Sequence, residues 1–106
     1  MNKLDKISNK LITKFGAENQ IIKAISELGE LVQALADHQC NQLASCSMGS
    51  KEHRVLEEIA DVKIMLNQLE ILFGREKVDA KLEWKIGYIE KKLEETIGMV
   101  IKEVSK

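Results

Sequence analysis

No proline interrupts this chain of 106 residues, and it holds only six glycines. Proline is the strongest helix breaker and glycine the next, so the backbone is free to run in long helices. The apolar spacing uses that freedom. Leu4, Ile7 and Leu11 recur at intervals of three and four, with Ile12 beside them. Leu82, Ile86, Ile89, Leu93, Ile97, Val100 and Val104 do the same near the C-terminus. That period belongs to helices and not to the alternation of strands.

Four helices are expected. The first covers residues 3–15 and is closed by Gly16; the second covers residues 17–37. HQCNQLASCSMGS, residues 38–50, lacks periodicity and predicts a loop. Ser50 then serves as the N-cap of a third helix ending at Phe73, and GREKV connects it to a fourth over residues 79–104. Long helices with short connections predict an all-α fold, an antiparallel four-helix bundle formed by one domain spanning residues 1–106. The second and third helices are apolar over too wide an arc for one small bundle to cover. A helical homo-oligomer, dimer or tetramer, is the expected outcome.

Composition bounds the partners. Apolar residues make up 44% and charged residues 31% of the chain, as in a globular protein rather than a disordered one. The formal net charge of -1 argues against a general affinity for nucleic acid or an anionic membrane. MNKLDKISNK is too polar for a signal peptide, and no apolar run reaches membrane-spanning length. A cytoplasmic protein with Cys40 and Cys46 as reduced thiols is the expectation.

Four acids stand out. Glu27 and Glu30 lie three residues apart on the second helix, ~60° from each other. They sit outside the apolar arc of Ile21, Ile25, Leu28, Leu31, Val32 and Leu35, with Glu27 close to its edge. Glu58 and Asp61 repeat the spacing on the third helix. There they fall on the strip continued by Met65, Leu69 and Leu72 and flanked by Val62. An acid on an apolar strip must be neutralised, paired or metal-bound, because burying a bare carboxylate is costly. Salt bridges from Lys23 or Lys63, or a solvated face, answer the problem in one way. A divalent ion held by hard oxygen ligands from facing helices answers it in another, and suits Mg²⁺ or Mn²⁺.

The paired motifs Glu27-Leu28-Gly29-Glu30 and Glu58-Ile59-Ala60-Asp61 are separated by residues 31–57 and preceded by Phe15-Gly16 and Gln20. They resemble the ExxE and ExxD motifs of the MazG-like, all-α nucleoside triphosphate pyrophosphohydrolases. The resemblance covers about residues 15–93. It implies Mg²⁺-dependent hydrolysis of a ribo- or deoxynucleoside triphosphate to the monophosphate and pyrophosphate, with Mn²⁺ as a substitute metal and a housecleaning role in the nucleotide pool. By position, Glu27, Glu30, Glu58 and Asp61 become both the metal ligands and the catalytic residues. Glu57 points ~100° away from Glu58 and at best supports the ligands from behind. Two positions depart from the family pattern. Ser26 stands where a leading Glu is frequent, and Tyr88 where an Arg is common.

Around that nucleus, Lys81, Lys85 and Lys92 form a stripe on the fourth helix suited to phosphate oxygens, or to covering the apolar seam with their stems. Gln20 is a candidate for contacting a base, or for a purely structural hydrogen bond. Trp84 and Tyr88 lie off the seam, placed to stack on a base or to fill an oligomer interface. His38, Cys40, Cys46 and His53 lack the spacing of a zinc site. The rival to an enzyme is a non-catalytic helical module that binds nucleotides or a partner.

Overall fold

The computed structural model describes the backbone of residues 2–41 and 48–104, and the side chains of residues 2–40 and 51–98. Four α-helices and no strand occur among the described residues: α1 (Lys3–Phe15), α2 (Ala17–Asn41), α3 (Met48–Phe73) and α4 (Arg75–Val104). None of them is long and apolar enough to cross a membrane. The helices divide into two units, Met1–Leu72 and Phe73–Lys106.

Local chemistry sets the helix ends. Asn2 caps α1, its side chain accepting the backbone N–H of Asp5 at 2.7 Å. Gly16 ends the helix at φ 90°, a backbone conformation that side-chain-bearing residues rarely adopt, while its N–H still reaches Ile12 O at 2.9 Å. The first helix therefore has the predicted limits. The others are longer than predicted. Residues 38–41 continue α2 and residues 48–50 already belong to α3, so Ser50 is inside a helix and not its N-cap. The rest of the predicted loop, residues 42–47, lies outside the described residues. Nor is GREKV a connection: Gly74 alone, at φ 107°, separates α3 from α4. Arg75, Glu76 and Lys77 are all tolerable helix formers, and one left-handed glycine is enough to end α3.

In the first unit, α1, α2 and α3 are tied by polar side chains. Asn67 of α3 donates from Nδ2 to Asp5 Oδ1 at 3.0 Å and to Ser8 Oγ at 2.8 Å on α1. Arg54 of α3 pairs with Asp37 of α2 at 2.8 Å. The buried side chains are Ala24, Ala34, Val62 and Met65 together with Ser8, Gln20, Glu27 and Gln68. Half of that interior is polar. On α2 the buried face is Gln20, Ala24, Glu27 and Ala34, and the bulky arc expected to form the core is not: Ile25 and Val32 are about two-thirds exposed. Small side chains let helix axes approach, whereas β-branched ones on the neighbouring arc hold them apart. On α3 the predicted strip is the buried one, with Val62 and Met65 buried and Leu69 and Leu72 half-buried.

The second unit contains α4. Its apolar seam is exposed throughout, from Leu82 through Ile86, Ile89 and Leu93 to Ile97.

Replacing Gly16 by Ala strains the φ 90° backbone and is expected to lower unfolding stability by about 1–3 kcal/mol in urea denaturation. Gly87 is mid-helix with open space where a Cβ would stand, so Gly87→Ala is expected to add about 0.5–1 kcal/mol.

Candidate metal centre and adjoining cavity

Glu27 and Glu30 are one turn apart on α2, and Glu58 and Asp61 are one turn apart on α3. One carboxylate oxygen from each of Glu27, Glu58 and Asp61 lies within 4.8 Å of the others. Among the described residues these three are the His, Cys, Asp or Glu side chains close enough to share an ion. Glu30 reaches Glu58 through a side-chain hydrogen bond. Three of the four acids singled out from the motifs therefore share one cluster, and Glu30, exposed on α2, is not a member of it.

Their burial differs from the expectation. Glu27, placed by its helical angle at a wet margin, is 7% exposed, whereas Asp61, placed on the apolar strip, is exposed. Glu58 is half-buried. The reason is the shift of the α2 face described above. With Ala24 and Ala34 turned inward, Glu27 is carried in with them.

The charges are only partly compensated. Lys23, one turn earlier on α2, holds Glu27 Oε1 at 3.0 Å through an ammonium that stays largely in solvent. The hydrogen bond to Glu27 and its negative charge push the Lys23 pKa up. Glu27 Oε2 and Glu58 Oε2 are buried with no hydrogen-bond partner. Desolvation raises the Glu58 pKa. The neighbouring charges of Glu30, Asp61 and Glu27 and the hydrogen bond with Glu30 add to the rise.

Such a donor set fits a hard divalent cation. Oxygens on one Mg²⁺ are ~3.0 Å apart when adjacent and ~4.2 Å apart when opposite, from a bond length of ~2.1 Å, so the three carboxylates would draw together around an ion. The two orphaned oxygens belong to neighbouring helices, α2 and α3, and lack any donor. Glu57, by contrast, is exposed and pairs with His53 at 2.9 Å, apart from the cluster. That pair engages His53, and Cys40 is an exposed free thiol on α2; Cys46 lies outside the described residues.

A cavity of about 450 Å³ adjoins the cluster and includes Glu27, Asp61 and Lys23 in its wall. Leu11, Phe15, Ile64 and Met65 supply apolar wall, and Asn19, Gln20 and Gln68 supply amides. This size is within the range of small-molecule sites, as is the mixture of apolar lining with a few polar groups. Gln20 is buried and donates from Nε2 to Gln68 Oε1 at 2.6 Å, so the structural hydrogen bond considered for it exists. Gln68 is fully buried, and its own amide nitrogen reaches only Met65 Sδ, at 3.7 Å. Sequence analysis missed Gln68, although its position one turn after Met65 on the buried strip was a usable signal. Lys81, Lys85 and Lys92 lie on α4, in the second unit.

In comparisons with protein-family models, with curated proteins and with solved structures, nothing matches this chain.

A raised Glu58 pKa means that the folded chain binds this proton more tightly than the unfolded chain. Its contribution to stability is thus fullest below about pH 4.5 and is lost as pH rises through the raised value. In EDTA, Glu58→Gln should flatten that loss and melt above the wild type at pH 8. Adding Mn²⁺ should raise the melting temperature of the wild type and leave Glu27→Gln nearly unmoved; thermal melts at pH 5 and 8 check both.

Proposed function

We propose that this chain is a Mg²⁺-dependent nucleoside triphosphate pyrophosphohydrolase of the MazG-like kind, with Mn²⁺ as a substitute metal. The observation that carries the proposal is the pair of buried, unpartnered carboxylate oxygens on Glu27 and Glu58, set on facing helices beside a cavity of about 450 Å³. A buried carboxylate without a partner is expensive to keep. Positive charge supplied from outside the chain removes that expense, and a metal-triphosphate brings both the charge and a group to cleave.

Glu27, Glu30, Glu58 and Asp61 hold the metal. What a divalent ion supplies there is Lewis acidity toward phosphate oxygens and a lowered pKa for water. The chain's own contribution is placement. Lys23 fixes one oxygen of Glu27 and leaves the other to the ion. Phe15, Leu11 and Ile64 offer an apolar wall to a base, and Gln20 and Gln68 offer amides to its edge. With its pKa raised, Glu58 keeps a proton to higher pH than an ordinary carboxyl when no metal is present, and metal binding displaces it.

The bundle and its assembly belong to the same proposal. Ile22, Ile25 and Val32 on α2 and Leu56 on α3 are more than half exposed, as is most of the α4 seam. Apolar surface on this scale supports an antiparallel four-helix arrangement completed in a dimer or tetramer. Hydrolysis of aberrant nucleotides in the cytoplasm is the role that suits such a protein.

Purified chain with Mg²⁺ and a panel of ribo- and deoxynucleoside triphosphates should release pyrophosphate and the monophosphate. Orthophosphate alone, or no turnover on any member of the panel, contradicts the proposal. Glu58→Gln and Asp61→Asn should reduce turnover to background while circular dichroism stays helical. In sedimentation the wild type should run as an oligomer, and Ile25→Glu combined with Val32→Glu should shift it toward the monomer.

A further inference from the structure

Charge is segregated around α4 in a way that the net charge of the chain conceals. With ~100° between successive residues, Lys77, Lys81, Lys85 and Lys92 fall within an ~80° arc, and Trp84 and Tyr88 lie on or beside it. Glu76, Asp79, Glu83, Glu90 and Glu94 gather on the opposite side, within ~60° of one another. The apolar seam of Leu82, Ile86, Ile89, Leu93 and Ile97 occupies a third sector. Among the described side chains Glu95 is the acid on the basic face, and it pairs with Lys92 at 3.6 Å.

The aromatic rings are organised. Trp84 and Tyr88 stack with centroids 5.8 Å apart and planes 15° from parallel. Lys92 Nζ stands over the Tyr88 ring at 5.6 Å. Trp84 is 67% exposed and Tyr88 52%. Lys81, Trp84, Lys85 and Ala80 line a groove of about 510 Å³ along the helix. The basic residues from Lys77 to Lys92 span ~22 Å of helix.

We infer that this basic and aromatic face of α4 binds single-stranded nucleic acid, the lysines taking backbone phosphates and the stacked Trp84–Tyr88 pair receiving unpaired bases. Charge complementarity joined to exposed ring faces is the combination by which single strands are held without regard to sequence. A helical partner suits this face less well. Lysine is depleted at interface cores, and the seam already gives α4 a separate apolar surface for packing. A membrane suits it less well too, because interfacial helices carry their large aromatics on the apolar face and not among the lysines. Every residue used for this inference lies on α4 and none belongs to the acidic cluster.

Trp84 is the only tryptophan in the chain, so its emission reports on this face directly. The full chain is titrated with oligo(dT) and oligo(U) of about 15 nucleotides, long enough to follow the stripe. Parallel titrations use a duplex of the same length and dTTP. Single strands should quench Trp84 saturably. Affinity should fall ~20- to 50-fold between about 50 and 200 mM salt, the loss expected for three or four phosphate contacts on a single strand. Lys81→Glu with Lys85→Glu, both exposed and expected to keep the helical circular dichroism, should weaken binding at least ~10-fold. Tyr88→Ala should weaken it without altering the salt slope. The inference is overturned by an absence of quenching at low salt, by equal binding of the duplex, or by dTTP binding as tightly as the oligonucleotides. It is also overturned if Trp84 is already shielded from acrylamide in an oligomer of the chain.

Discussion

Everything in the first unit is arranged around negative charge that two helices cannot avoid sharing. α2 and α3 meet where Glu27, Glu58 and Asp61 crowd within 4.8 Å, and two of the oxygens are shut away from water with no donor to receive them. Repulsion and desolvation both oppose such a contact. What sustains it in the free chain is one lysine at the margin, a proton held more tightly on Glu58, and the hydrogen bond from Gln20 to Gln68. These are partial remedies. Polar side chains away from the cluster, among them the Arg54–Asp37 ion pair and the bonds of Asn67 and Gln20, tie the helices together, while the charged centre between them stays under-compensated.

A second consequence is an inverted distribution of polarity. The largest fully buried side chain is a glutamine, while isoleucine, leucine and valine are abundant on the outside. In an isolated monomer that arrangement wastes the strongest source of stability. Under the proposed function and assembly the two observations would be parts of one design, with the polar interior serving a ligand and apolar packing left to contacts between chains.

Much of the fold was legible in the sequence, and the reasons are local. Residues 3–15 were bounded correctly because a glycine ends them, and the buried strip of α3 followed from spacing alone. Of the four motif acids, Glu27, Glu58 and Asp61 lie together. What was not legible depended on partners distant in the chain. Periodicity identifies the bulkiest face of α2, and packing buried instead a neighbouring face of Ala24, Ala34, Gln20 and Glu27, so that Glu27 is inside, while Asp61 on α3 is exposed. Helix ends fared poorly where polar residues lack a strong breaker, as in residues 38–41 and 75–78. Net charge says nothing of how charge is distributed, since it averages the two oppositely charged sides of α4 to almost nothing.

Ala24 stands between Gln20 and Glu27 on the buried side of α2, and only a methyl group fills that position. The gap between neighbouring helices depends on the bulk of the residues at their contact. A methyl one turn from the acids therefore works as a gauge block for the whole centre. If the acids hold a cation as proposed, trimming or thickening it would change the bite they offer without altering a single donor, and so would tune the ionic radius that is accommodated best.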